Sequence, residues 1–89
     1  MLTWWCYIVQ CSDDTFYTGI TNDLEKRLSA HNAGNASKYT RTRLPVSFAY
    51  TEEYPDRSSA SKREAAIKKL SRDAKSILIQ KNRDHLALK

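Results

Sequence analysis

Tyr17-Thr18-Gly19-Ile20-Thr21-Asn22-Asp23-Leu24-Glu25-Lys26-Arg27-Leu28 is the stretch on which the fold turns, because a short strand gives way there to a helix. The strand runs from Thr15 to Ile20 and ends around Gly19. Asn22 then serves as an N-cap, with Glu25 three residues on to complete a capping box. Leu24 and Leu28 mark the apolar side of the helix, and Gly34 is placed to end it. Arg27 and His31 stand at i and i+4, so their side chains lie over one another on a flank of that stripe.

Upstream, residues 3–11 are aromatic and β-branched, with Trp5, Tyr7 and Val9 on one face and Trp4, Cys6 and Ile8 on the other. Ser12-Asp13-Asp14 is turn chemistry, so the two strands form a hairpin. A three-residue loop sets residue 9 opposite 17 and residue 7 opposite 19. Tyr7 and Tyr17 then share a face, with Gly19 leaving space over Tyr7. A two- or four-residue loop puts the phenols on opposite faces.

Downstream, residues 35–45 read as a polar, basic loop, and Val46 to Thr51 alternate as a third, half-buried strand. After the Pro55 turn a helix is expected from about Ser59 to Leu70, with Ala60, Ile67 and Leu70 near the core. Ser71 then caps a last helix carrying Ala74, Ile77 and Leu78. The order β-β-α-β-α-α predicts an α+β fold, a small three-stranded antiparallel sheet flanked by helices. One domain is expected over residues 1–80, with a fraying C-terminal tail over 81–89.

The chain has 89 residues, enough for one domain with a small core. No window approaches the roughly 18–20 apolar residues of a membrane span. The first ten residues do not read as a secretory signal, since no basic residue precedes Lys26, and a cytoplasmic location is expected. The net charge is +5 and unevenly spread. Residues 1–25 hold Asp13, Asp14, Asp23 and Glu25 and no base, whereas all fifteen Lys and Arg fall after them. A basic excess confined to one part of a small domain is the footprint of a polyanion partner, or simply a soluble basic surface. Cys6 and Cys11 would lie roughly 16 Å apart on an extended strand, too far for a disulfide. With His31 and His85 remote in sequence they make a poor zinc site, so they read as buried structural thiols.

Four features can carry chemistry: the phenols of Tyr7 and Tyr17, the Arg27/His31 pair, the Lys38-Tyr39-Thr40-Arg41-Thr42-Arg43 segment, and Glu64 among Lys62, Arg63, Lys68 and Lys69. Each has a plain structural reading. A strand tyrosine commonly sits at a core edge with a wet hydroxyl, and Ser61 with Glu64 fits a capping box if the helix begins at Ser61.

Taken together, Trp5-Cys6-Tyr7, Tyr17-Thr18-Gly19, Arg27, His31 and Glu64 resemble the GIY-YIG nuclease family, most of all its small stand-alone members. The resemblance spans about Trp4 to Leu78 and includes Lys38-Tyr39-Thr40-Arg41 and Arg63-Glu64-Ala65-Ala66-Ile67-Lys68-Lys69-Leu70. It implies that Tyr7 and Tyr17 are the motif tyrosines, Arg27 the catalytic arginine, His31 its polar partner and Glu64 the single metal-binding carboxylate. Trp5-Cys6 stands where the motif has glycine and isoleucine, and Thr18 where it has isoleucine; neither change touches a phenol. Asn82 is the candidate for the family's downstream asparagine. The implied activity is a metal-dependent endonuclease cutting DNA with little sequence specificity, single-strand or structure selectivity included, in repair, recombination or processing. The alternative is a non-catalytic nucleic-acid-binding module on the same scaffold.

The chemistry is physically coherent. One carboxylate can hold one Mg²⁺ or Mn²⁺ that keeps most of its water, and no acidic cluster suggests a second ion. Arg27 would brace developing negative charge with a fork lysine cannot copy. A phenol has a pKa of about 10, so Tyr7 serves as base only if positive charge such as Arg27 lowers it, with His31 assisting and Tyr17 aligning water or phosphate. The two phenols can exchange roles. Nucleic-acid contacts are expected at Gly19, Lys38, Tyr39, Arg41 and Arg43, the cations meeting phosphates and Tyr39 stacking on a base or lining the pocket.

Overall fold

The computed structural model describes the backbone of residues 3–87 and the side chains of residues 3–82. Its elements are β1 (Trp4–Gln10), β2 (Phe16–Thr21), α1 (Leu24–Asn32), α2 (Lys38–Arg41), β3 (Ser47–Tyr54), α3 (Arg57–Lys68) and α4 (Arg72–Ala87). The three strands are antiparallel in the order β2-β1-β3, so β1 is paired on both edges and β2 lies at one edge.

The β1–β2 hairpin closes through three residues, with Cys11 N–H donating to Thr15 O at 2.8 Å and Asp14 in the left-handed region at φ 66°. Asp13 Oδ1 accepts from the backbone N–H of Thr15 (3.2 Å) and from its hydroxyl (2.6 Å). The odd loop sets Val9 opposite Tyr17 and Tyr7 opposite Gly19, the register that parity requires for the phenols to share a face.

Helix α1 begins one residue later than expected. Asp23, not Asn22, is the N-cap, and its carboxylate accepts from Lys26 N–H at 3.0 Å. The Thr21 hydroxyl accepts the Asp23 N–H at 3.1 Å and so draws the cap inward; Glu25 falls in the first turn and no capping box forms. The helix ends as the sequence predicts. Gly34, at φ 82°, donates to His31 O, and Asn35 donates to Ala30 O, the paired bonds of a Schellman motif. Within the expected basic loop lies the single turn of α2, capped by Ser37 Oγ, which accepts from Tyr39 N–H at 3.1 Å.

The third strand is displaced from the expected Val46–Thr51 and reaches Tyr54. A bulge also breaks its alternation: Val9 faces Phe48 but Ile8 faces Tyr50, so Ala49 is an extra residue. Strict alternation would put residues 48, 50, 52 and 54 on one face. With the bulge, Phe48 packs beside Tyr7, Val9, Cys11 and Val46, whereas Tyr50 and Tyr54 join Cys6, Ile8, Ile67 and Ile79. Leu24 and Leu28 bring α1 onto the first of these clusters; Ile67 and Ile79 bring α3 and α4 onto the second. The central strand is therefore covered on both faces. Cys6 and Cys11 are buried free thiols in opposite layers, and burial pushes the Cys6 thiol up to about 11.

Helix α3 starts at Arg57, capped by Asp56, whose carboxylate accepts from Ser59 N–H at 2.7 Å. The expected start near Ser59 is two residues late, and Glu64 lies well inside the helix, not in a capping box. Leu70, expected near the core, lies past the helix end and is 36% exposed. Ser71 Oγ accepts from Ala74 N–H at 3.1 Å, as expected of a cap. Among the described side chains of α4 the buried one is Ile79, while Ile77 is 56% exposed. The 80/81 boundary drawn from sequence falls within α4, and residues 88–89 lie outside the described residues. Among the described residues no helix is long and apolar enough to cross a membrane.

One polar cluster ties α3 to the sheet. Glu52 on β3 receives two bonds from the Arg63 guanidinium, Nε at 2.9 Å and Nη2 at 3.1 Å. It also accepts the Tyr54 hydroxyl at 2.6 Å and the Tyr50 hydroxyl. Burial pushes the Glu52 carboxyl up, but the bonds from Arg63, Tyr50 and Tyr54 outweigh it and hold the group below the usual carboxylate range. A lowered carboxyl stabilises the fold fully above the unfolded value of about 4.3, and that contribution is lost as pH falls toward the folded value. Glu52→Gln is expected to cost about 2 kcal/mol at pH 7 and to flatten the acid limb of a plot of urea midpoint against pH.

Candidate functional site

Tyr7 projects from the central strand toward the edge strand, and the position opposite it is Gly19. A Cβ on Gly19 would lie 2.5 Å from the Tyr7 Oη and 2.7 Å from its Cζ. Glycine is required because the phenol lies flat across its backbone, at a separation no methyl group tolerates. This carries the hydroxyl over β2 to His31 on α1, where Oη and Nε2 are 2.8 Å apart. On the other side of the imidazole, Nδ1 is 2.9 Å from the hydroxyl of Thr40 on α2. Tyr7, His31 and Thr40 are 2%, 1% and 0% exposed. Phe48 packs edge-on against the Tyr7 ring, and Tyr17 edge-on against the His31 ring.

Two opposite charges reach this chain. Burial raises the Tyr7 phenol well above its ordinary value, Arg27 pulls it back, and Tyr17 and Glu64 push it further up. Burial and then Arg27 hold the His31 imidazole below its ordinary value. Arg27 therefore acts on Tyr7 in the direction expected from sequence, but burial is the larger effect and favours the neutral phenol. Arg27 is half-buried one turn before His31 and lines a surface cleft with Thr21, Asn22, Asp23, Lys26 and Ala30.

Glu64 is half-buried on α3 between the fully buried Ala60 and Ile67, at the spacing of one helix face. Its carboxylate is 3.4 Å from Lys68 Nζ, and its charge is felt by both Tyr7 and Cys6. The Arg63 clamp on Glu52 sets the rotation of α3 one residue away. Among the described residues no group of three or more His, Cys, Asp or Glu could enclose a metal ion. A lone half-buried carboxylate suits an ion that keeps most of its water shell, such as Mg²⁺, and does not suit a caged zinc.

The basic segment divides. Lys38 and Arg41 are exposed and line a second surface cleft with Gly34, Asn35, Ala36 and Ser37. Arg43 is committed elsewhere: Nε donates to Asp13 at 3.0 Å, Nη1 to Tyr39 O at 2.7 Å, and the guanidinium lies 3.9 Å from the Tyr39 ring centroid. Tyr39 also stacks on Tyr17, with centroids 6.0 Å apart and planes at 21°. Asp13, Arg43, Tyr39 and Tyr17 thus form a brace that holds the second phenol against His31. Asn82 is half-buried on α4. Sequence reasoning missed Thr40, whose neighbours suggest only phosphate contacts, and it missed the Glu52–Arg63 clamp, whose partners meet across two elements. The Ser37 cap was the one local signal that Thr40 lies on a turn of helix facing inward.

Known proteins resemble this chain in sequence and fold. The family described as the GIY-YIG catalytic domain matches residues 3–77. A UPF0213 protein of Halobacterium salinarum is 49% identical over 81% of this chain and 94% of its own. The solution NMR structure of a protein from E. faecalis is similar at a TM-score of 0.62 and 40% identity, covering 91% of this chain and 86% of that one. That of a UPF0213 protein from Bacillus halodurans follows at 0.57 and 36%, covering 88% and 83%.

Gly19→Ala is expected to destabilise the fold by about 1–3 kcal/mol through overpacking and to displace the Tyr7 ring, read by urea unfolding and by the Tyr7 ring resonances. His31, with a folded pKa below the unfolded value of about 6.5, stabilises the fold fully above that pH and loses this contribution as pH falls below it. An NMR titration is expected to show the His31 Cε1 proton of the folded chain shifting at lower pH than in the urea-unfolded chain.

Proposed function

The chain belongs to the GIY-YIG family of catalytic domains, a nuclease-type family, and from that premise we propose that it is a metal-dependent endonuclease that hydrolyses DNA phosphodiesters with little sequence specificity. The observation that supports this best is the surroundings of one hydroxyl. Tyr7 Oη lies 2.8 Å from an imidazole nitrogen, and the phenol senses a guanidinium and a carboxylate of opposite sign. Hydrolysis needs a proton acceptor, a cation for the phosphoryl oxygens and an anchor for a metal ion, and these are those three groups.

In this reading Tyr7 does not wait as a phenolate. Its hydroxyl oxygen takes a proton from the attacking water as its own proton passes to His31 Nε2. The water oxygen bonds to phosphorus, the bond to the departing strand's oxygen breaks, and that oxygen takes a proton from solvent. Burial and Arg27 both disfavour a charged imidazole, so His31 passes its proton back to the Tyr7 oxygen as that hydroxyl releases its own proton to the solvent side, and the site resets. Arg27 braces the phosphoryl oxygens. Tyr17, held by Tyr39 and Arg43, aligns the phosphate or the water. Glu64 would hold one Mg²⁺ or Mn²⁺, which when bound supplies positive charge to the phosphoryl group and the leaving oxygen. Lys38 and Arg41 would meet backbone phosphates, contacts that position a strand without reading its bases.

End-labelled single-stranded, duplex and branched oligonucleotides with Mg²⁺ or Mn²⁺ test this. The unmutated chain is expected to cleave at least one of them. Glu64→Ala and Arg27→Ala are each expected to lose cleavage on the order of 10²-fold or more, with Glu64→Ala still binding DNA. Binding should weaken with salt at a log–log slope of about −3 to −5. Binding with no metal-dependent cleavage by the unmutated chain would instead assign a nucleic-acid-binding module.

A further inference from the structure

His31 can accept the Tyr7 proton only if Nε2 is the bare nitrogen, and in a neutral imidazole that is decided by what Nδ1 meets. Nδ1 meets the Thr40 hydroxyl at 2.9 Å. The Thr40 hydroxyl also lies 3.4 Å from the backbone carbonyl of Ser37, which can only accept. The hydroxyl hydrogen therefore points to Ser37 O, the Thr40 oxygen is left to accept from Nδ1–H, and Nε2 presents its lone pair to Tyr7. The opposite tautomer would turn the Thr40 hydroxyl away from Ser37 O. It would also aim Nε2–H at the Tyr7 oxygen, taking away that hydroxyl's acceptor. With His31 and Thr40 at 1% and 0% exposure, water is not at hand to make good either loss.

We propose that Thr40 is a positioning residue that locks His31 in the Nδ1–H tautomer and so leaves Nε2 free to take the Tyr7 proton. Its consequence for turnover rests on the nuclease reading; the tautomer itself does not. The surrounding structure holds Thr40 for this. Ser37 caps its helical turn, and the Arg43 backbone N–H donates to Thr40 O at 2.8 Å. Arg43 in turn is tied to the hairpin by its ion pair with Asp13 and by the bond from Ser12 N–H to its own carbonyl. Lys38 and Arg41 flank Thr40 on the same turn. The segment that sequence reads as a grip for phosphates thus also carries the third member of a buried proton chain.

The test is the imidazole ¹⁵N spectrum of the full chain at neutral pH, with single-turnover cleavage alongside. In the unmutated protein Nε2 is expected to be pyridine-type and Nδ1 pyrrole-type. Thr40→Val removes the acceptor for Nδ1–H and is expected to exchange or average the two signals, with kcat reduced roughly 10- to 100-fold and KM within about twofold. Thr40→Ser restores the hydroxyl and is expected to restore both the spectrum and kcat. A protonated Nε2 in the unmutated protein overturns the proposal, as does a Thr40→Val spectrum identical to it. If Thr40→Val does not fold, the unmutated and Thr40→Ser spectra decide alone. A chain that cleaves no DNA but shows the expected tautomer defeats the nuclease reading and leaves the lock intact; one that cleaves with Nε2 protonated does the reverse.

Discussion

A phenol lying across a strand position that has no side chain is the contact from which the rest of the site is built. Tyr7 cannot reach His31 from the central strand unless the residue opposite is glycine, and the odd hairpin loop puts Gly19 there. The same register turns Tyr17 to that face, where Tyr39 and Arg43 hold it against His31. Because β1 is covered on both faces, the Tyr7 ring is buried against both Gly19 and the Phe48 ring.

Burial and charge compete over this phenol, and burial wins. A lone Tyr7 would be a poor base in such a setting. The same burial that raises its pKa also favours the neutral form of His31, 2.8 Å away. In the nuclease reading the neutral imidazole at hydrogen-bond distance is the acceptor for the phenol's proton, and burial with Arg27 favours its release. The charge that sequence suggests as an activator of Tyr7 thus also lowers the His31 imidazole.

The second half of the site depends on where α3 lies. Glu64 comes from a helix packed on the opposite sheet face from α1, yet its charge reaches Tyr7. Two features fix that helix: Ala60, small enough for close approach, and the bidentate Arg63–Glu52 pair. The β3 bulge is what turns Glu52 toward α3 at all. Without the extra residue at Ala49, Phe48 and Glu52 would share a face, and either the ring beside Tyr7 or the clamp on α3 would be lost.

The sequence alone determined the elements whose signals are local. Chain order, hairpin parity, the glycine beside Tyr7, the Schellman end of α1 and the i, i+4 placement of Arg27 and His31 each depend on a few neighbouring residues, and the chain's own periodicity carries them. Helix starts shifted by one or two residues because Asp23 and Asp56 were competing with nearby Asn and Ser caps, a contest settled by which backbone N–H groups each side chain could reach. Only the tertiary structure decided the bulge, the Glu52–Arg63 clamp, the commitment of Arg43 to Asp13 and Tyr39, and the burial of Thr40 against His31. Each joins groups on different elements, and a periodicity of 2 or 3.6 says which way a residue faces without saying what it meets. The protonation of Tyr7 and His31 belongs to the same class, because desolvation is a property of everything packed around a group and of no residue by itself.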